Sequence, residues 1–350
     1  MRSRSQALSV RAAVPIDILN HMPYFTIVIP TFNRGHLLDR ALRSCVAQDF
    51  GDWEAMVVDD ASNDAAGVDS VEVVARIGDP RIRLIRHEQN RGVSEARNTG
   101  SLAAQGSWLV FLDDDDELVP GALTVIHGIA ERSGSEVRRL IFAYVDDTGG
   151  TSPQPALQSG AVWGYRQYLE WVEQASERTD FMNCIHRDVF KSVLWPRDRS
   201  REDIFHFDLA RNFRTGCHSE VVAIIHTDAA SRFTDVPRYD RVLRMAPDLA
   251  RQMIPILEQH GEALRTWAPR TFARFLRHAA INHYLAGSRR GGLRYSAALL
   301  RRRPFAPSAW GVLFIGLLSP RFLAASVALA KRRRSERARY ALSPLRPAVK

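Results

Sequence analysis

Cysteine is scarce: Cys45, Cys184 and Cys217 are the only three in 350 residues. They are too few and too scattered for a disulfide framework, and one would be left over, which fits a reducing, cytoplasmic compartment. The histidines of the 180–230 stretch, His186, His206, His218 and His226, include no pair at the spacing of a zinc site. The first 25 residues hold arginines but no apolar run long enough for a signal peptide, and residues 1–23 read as a loose leader. A clean long apolar run is also missing. Ala309 to Ala330 holds 22 residues with one charge, Arg321, against the about 20 that a bilayer span requires. Pro320–Arg321 breaks that run, basic clusters flank both ends, and a central arginine costs roughly 2.5–3.5 kcal/mol on insertion. The expectation is a pair of short interfacial helices with Trp310, Leu313, Phe314, Leu317 and Leu318 on one face.

Acidic residues are nearly absent from one part of the chain. From Arg289 to Arg339 there are thirteen Lys and Arg against Glu336 alone, a net +12. The whole chain carries +9, so the rest carries −3. A near-neutral body with a basic tail argues against a nucleic-acid binder and for a tail that meets an anionic membrane surface. The overall composition, 45% hydrophobic and 25% charged, is that of a globular protein.

What is present is an alternation. "YFTIVIP" (24–30), "EAMVVDD" (54–60), "RIRLIRH" (81–87) and "WLVFLDD" (108–114) read as strands. Between them 36–48, 68–78 and 93–106 carry helical patterning. Strands every 30 residues or so with helices between them predict an α/β fold, a mostly parallel sheet with helices on both faces. Ligands of such sheets bind at the carboxyl ends of the strands. Pro30, Thr31, Phe32 and Asn33 end the first strand, Asp59 and Asp60 the second, and Asp113 to Asp116 with Glu117 the fourth. Five like charges at a buried strand end repel by roughly 1 kcal/mol per close pair even in water. Something positive must compensate. Asp113 and Asp115 could offer oxygens to one Mg²⁺ or Mn²⁺, shared with a diphosphate. The competing reading is an acidic turn capping a helix from Pro120.

"FTIVIPTFNRGHLLDRALRSCVAQDFGDWEAMVVDDASND" followed by "NRGVSEARNTGSLAAQGSWLVFLDDDDELVPGAL" is similar to the N-terminal half of the family 2 glycosyltransferases, with their GT-A fold. The match is strong over 24–125 and weaker through "FMNCIHRDVF" and "REDIFHFDLARN" to about 215. The resemblance implies that Phe32 stacks on a nucleotide base, that Asp60 meets the base edge with Asp59 beside it, and that Arg97 lies near the phosphates or ribose. It implies that Asp113 and Asp114 border the ribose and the metal's water shell, and that Asp115 binds the metal. An acidic pair before a helix, here Glu202–Asp203, would supply the base of an inverting displacement, Asp203 first and Glu202 second. Arg201 stands where the family more often has glycine, which puts the loop conformation in question. Each assignment has a plainer rival: a core aromatic for Phe32, a solvated turn for Asp59 and Asp60, a surface arginine for Arg97, and a helix-start cap for Glu202–Asp203.

The implied domains are a catalytic unit over 24–240 (nucleotide-sugar half 24–125, acceptor half 126–240), a helical cap over 241–300, and a basic amphipathic tail over 301–350. The implied partners are a nucleotide-diphosphate sugar, a UDP-sugar first, and a glycan or lipid-linked acceptor, in polysaccharide biosynthesis at the cytoplasmic face of the membrane. A nucleotidyltransferase would favour a glycine-rich, lysine-bearing loop after the first strand, and "PTFNRGH" has neither. A non-catalytic nucleotide-sugar binder would tolerate damage to Asp113–Asp116, which are intact.

Overall fold

The computed structural model of the chain describes residues 22–63, 69–175, 180–197, 201–226, 239–319, 321–327 and 329. All but two residues of the expected leader, and the basic run 331–339, lie outside the described residues.

Strands β1 (Phe25–Thr31) and β2 (Trp53–Asp59) are buried along their whole length. Mostly apolar runs buried in this way suit parallel strands covered on both faces. Helix α1 (Gly35–Val46) joins them, and α2 (Ser70–Ile77) leads to β3 (Ile82–Arg86). Helix α3 (Val93–Ala103) then carries the chain back across the sheet to β4 (Trp108–Phe111), on the far side of β1. The order is β3-β2-β1-β4, all parallel. The reversal between β1 and β4 is a topological switch point, and it opens a crevice at the carboxyl ends of those strands. Alternation along the strands covers both faces. Ile27 and Ile29 pack with Leu38, Leu42 and Val73 on one side. Val28 packs with Phe111 and Phe205, and Met56 and Val58 with Ala96, on the other.

Beyond β4 the sheet is mixed, which narrows the expected parallel run to its first four strands. The elements are β5 (Glu117–Leu118), α4 (Ala122–Arg132), β6 (Val137–Asp146), β7 (Thr151–Ser152), β8 (Ala161–Trp163), α5 (Tyr165–Gln174), β9 (Met182–His186), α6 (Glu202–Asn212) and β10 (Arg214–Ile225). β9 lies antiparallel between β4 and β6, and β6 pairs parallel with β10. Helices α7 (Tyr239–Gln259), α8 (Gly261–Trp267), α9 (Pro269–Leu285), α10 (Arg289–Arg302) and α11 (Pro307–Leu318) follow. They share one core with the sheet half: Ile141, Phe207 and Cys217 cluster with Met253, Phe275, Val312 and Leu323. Among the described residues no helix is long and apolar enough to cross a membrane.

Gly106 shows how tightly β4 enters this sheet. A Cβ there would lie 2.5 Å from the Phe25 carbonyl carbon and the Thr26 nitrogen, backbone atoms that cannot rotate away. Gly106→Ala is expected to destabilise the fold by about 3 kcal/mol. A thermal or urea midpoint equal to wild type would contradict this.

Candidate active site

The ends of β1, β2 and β3 are stitched together first. Asp60 N–H donates to the Thr31 carbonyl and His87 N–H to the Asp59 carbonyl. Asp59 is fully buried. Its Oδ1 accepts from Ser62 N–H at 2.7 Å, and its Oδ2 accepts from the Ser70 hydroxyl. Asp60 is also buried. It accepts from the backbone N–H groups of Arg91 (2.8 Å) and Gly92 (2.7 Å) and lies 2.7 Å from His87 Nδ1. Gly92 has φ 92°, a conformation that favours glycine, and it begins α3. The two aspartates are therefore not a solvated turn: they fix the loops that follow β2 and β3.

The loop after β1 is tied to the loop after β2. Asn33 N–H donates to Ser62 Oγ at 2.8 Å, and Asn63 N–H to Asn33 Oδ1 at 2.9 Å. Asn33 and Ala61 both have left-handed φ, 56° and 64°. Strained non-glycine residues of this kind cluster at functional sites. Pro30 and Thr31 are buried at the end of β1, whereas Phe32 is 41% exposed, so it is not a core aromatic.

The acidic run after β4 splits into separate tasks. Asp114 is buried and accepts from the Thr31 hydroxyl at 2.7 Å. Arg34 Nη1 lies 3.1 Å from both Asp114 Oδ1 and Asp115 Oδ2. Burial, partly offset by Thr31 and Arg34, pushes the Asp114 carboxyl up to about 7. Arg40 Nη2 donates to the Asp115 carbonyl at 2.5 Å. Oxygens of Asp113, Asp115 and Asp116 all lie within 4.8 Å of one another. Three carboxylates at that separation are a hard-oxygen donor set of the sort that suits Mg²⁺ or Mn²⁺. Asp116 Oδ1 accepts from His226 N–H at 3.1 Å, and His226 Nε2 lies 2.7 Å from Glu117 Oε1.

Arg97 links the two halves. Its Nη2 donates to Asp113 Oδ1 at 2.9 Å and its Nη1 to Glu202 Oε1 at 2.5 Å. Its guanidinium lies 4.8 Å from the Trp195 ring centroid. Burial alone would lower its pKa, but Glu202 and Asp113 outweigh this and raise it. Its side chain is only 11% exposed, so Arg97 is not a surface arginine. Glu202 and Asp203 open α6, where acidic residues also suit the helix dipole. Arg201 has φ −63° and ψ 133°, extended backbone that any residue adopts, so no glycine is required at that position. Arg201 Nε holds Asp203 Oδ2 at 2.6 Å. Asp180 joins the same cluster although the residue is open to solvent. Desolvation of its carboxyl, then repulsion from Glu202, Asp113 and Asp203, raises its pKa. His206, on the next turn of α6, accepts from buried Arg139 and is held well below its usual range by burial and that charge.

The structure thus brings together Thr31, Asp113, Asp114, Asp115, Arg97 and Glu202, while Asp59 and Asp60 form a separate cluster and Asp203 has its own arginine. Sequence reasoning missed Arg34, Arg40 and His87, and it placed Asp116 in the acidic run without a role of its own. Arg34 was within reach, since it stands in "PTFNRGH" and the acidic run called for a positive neighbour.

Residues 26–194 match Glycosyl transferase family 2. The succinoglycan biosynthesis protein ExoO of Rhizobium meliloti is 38% identical over 119 residues, 34% of this chain and 33% of its own. The GalNAc(5)-diNAcBac-PP-undecaprenol beta-1,3-glucosyltransferase of Campylobacter jejuni is 40% identical over 108 residues, 30% of this chain and 34% of its own. The chain spans about a third of the length of these curated relatives. Among solved structures, S. aureus TarS 1-349 in complex with UDP-GlcNAc aligns with a TM-score of 0.54 at 16% identity, over 89% of this chain and 92% of that one. At that identity the likeness establishes a shared fold.

Proposed function

From the match of residues 26–194 to Glycosyl transferase family 2, we propose that the chain is an enzyme of that family that moves a sugar from a nucleotide-diphosphate sugar to a glycan or lipid-linked acceptor by one inverting displacement. The observation that carries the proposal is the bridge Asp113–Arg97–Glu202, which joins the end of β4 to the start of α6 across the crevice. A donor in that crevice would have its diphosphate beside Asp113, Asp115 and Asp116. A Mn²⁺ or Mg²⁺ held by those carboxylates would neutralise the leaving diphosphate. Asp114, fixed to Thr31 and Arg34, props the run rather than lining it. Phe32 offers a stacking face, and Asp59 and Asp60 keep the base-side loops in place. A carboxylate at the start of α6 takes the proton from the attacking hydroxyl. A UDP-sugar is the first donor to test, since the structural neighbour was crystallised with UDP-GlcNAc.

The deciding experiment is a screen of nucleotide sugars for metal-dependent hydrolysis and transfer with the full chain. One donor turned over with Mn²⁺ or Mg²⁺, and not with excess chelator, is the expected result. Binding without turnover of any donor would leave a nucleotide-sugar receptor instead. Within this reading, Phe32→Ala should weaken nucleotide binding by about 1–3 kcal/mol, a typical base-stacking contribution. Calorimetry with the free nucleoside diphosphate checks it, and unchanged affinity would remove Phe32 from the site.

A further inference from the structure

We infer that the outer face of α11 and its flanks is a rigid docking surface for an anionic lipid bilayer. The helix has two faces with different fates. Ala309, Val312 and Gly316 are buried, and a side chain on Gly316 would collide with the Tyr284 ring of α9. This face belongs to the core that also holds Phe207 of α6, so the segment is part of the folded body rather than a detachable tail. The opposite face carries Trp310, Phe314 and Leu318, spaced by four residues and 42%, 55% and 83% exposed. Phe305 (94%) and Phe322 (61%) are exposed in the segments on either side of the helix. Leu313 and Leu317, expected on the same face, are partly buried, and Leu317 packs on the core.

Five large apolar side chains exposed within residues 305–322, three of them on one helix face, are unusual for a protein that meets only water. The ring planes of Trp310 and Phe314 stack at 5.6 Å, and the Trp310 indole donates to the Pro304 carbonyl at 2.7 Å, so this face is pre-ordered. Its charge selects the partner. Arg301, Arg302, Arg303 and Arg321 are exposed around it, and residues 301–330 contain no acid at all. Arginines at headgroup level with aromatic and leucine side chains below them match an anionic interface. The chain's own terminus is a poor occupant, since 331–339 is itself strongly basic. A second copy would bring its own arginines against these. The surface is inferred without reference to sugar transfer, though docking there would raise the local concentration of a lipid-linked acceptor.

The test is sedimentation of the full chain with phosphatidylcholine vesicles, with and without 30% phosphatidylglycerol, no sugar donor being present. Binding should require the anionic lipid, fall with salt, and be released by alkaline carbonate. Phe314→Glu with Leu318→Glu should lower the partition coefficient at least about tenfold. Each of Arg301→Gln, Arg302→Gln and Arg303→Gln should lower it about fivefold. Thermal midpoints of the variants confirm that they fold. Equal binding to neutral vesicles, no effect of the Phe314/Leu318 pair, or resistance to carbonate would each overturn the inference. So would a dimer in solution that the same pair disperses with no vesicle binding. Because no donor is used, failure here leaves the transferase reading standing, and an inactive enzyme would leave this result intact.

Discussion

Asp115→Ala is expected to fold normally and to lose about a hundred- to a thousandfold in kcat/KM. The other acidic positions of the run are already engaged. Asp114 is held by Thr31 and Arg34 with its carboxyl pushed up to about 7 by burial, and Asp113 is anchored on Arg97. Asp115 is buried in the crevice, its backbone is fixed by Arg40, and its carboxylate faces Asp113 and Asp116 within 4.8 Å. Its one described side-chain partner is the Arg34 guanidinium, a single positive charge at 3.1 Å. That contact engages only Oδ2, so the other carboxylate oxygen can turn to a cation beside Asp113 and Asp116. On the proposed reading, removing the carboxylate takes away a central metal ligand, and loss of a metal's transition-state charge stabilisation is worth several kcal/mol, with each 1.36 kcal/mol a factor of ten. Two measurements decide it: turnover at saturating Mn²⁺, and Mn²⁺ binding by electron paramagnetic resonance. Wild-type turnover with excess chelator, or unaltered Mn²⁺ binding in the variant, would take the metal away from this carboxylate.

The first half of the fold was legible because its strands are buried on both faces. "FTIVIPT" and "WEAMVVD" are mostly apolar and buried throughout, and the helices between them repeat at regular intervals, so element type and order followed from pattern alone. The mixed half was not legible. β9 enters antiparallel between β4 and β6, and β5, β7 and β8 are two or three residues long. Short edge strands carry too few residues for a period to register, and their pairing is set by distant partners. The same limit applied to the site. Polar strand ends pointed to Thr31, Asp60 and Asp113, because position along a strand fixes them. Arg34 and His87 act through side chains that cross from one loop to another, and nothing in local spacing marks such a reach. For Arg97 it was the resemblance, not the helical pattern, that set it apart from its neighbours on α3. The tail was half legible. Its apolar and basic content is plain, but which side packs on Tyr284 depends on α9, more than twenty residues away.

Asp203→Asn should lower kcat by about a hundred- to ten-thousandfold, the range for loss of a general base, while changing donor affinity about twofold at most. Glu202→Gln should do the reverse in kind, weakening the donor more than it slows the chemistry. Both residues start α6 and both meet an arginine, but the two arginines differ. Glu202 holds Arg97, whose side chain is 11% exposed and whose other arm holds Asp113. Glu202 and Asp113 are themselves 43% and 50% exposed, but the guanidinium between them is buried, and breaking one arm leaves that buried charge less compensated. On the proposed reading Glu202 sets Arg97 and Asp113 for the diphosphate. Asp203 holds Arg201, and the two side chains are 34% and 35% exposed. Ion pairs open to water contribute about 0–1 kcal/mol, so an acceptor hydroxyl can take the place of Arg201 at little cost. A base must be reachable in this way, because its partner in the reaction arrives last. The asparagine variant keeps size and loses the proton acceptor, so donor binding should stay while transfer stops. Steady-state kinetics for both variants, with donor dissociation constants measured separately, split the roles. A slow Glu202→Gln enzyme with normal donor affinity, beside an Asp203→Asn enzyme of normal turnover, would move the base to Glu202 and make Asp203 a helix cap.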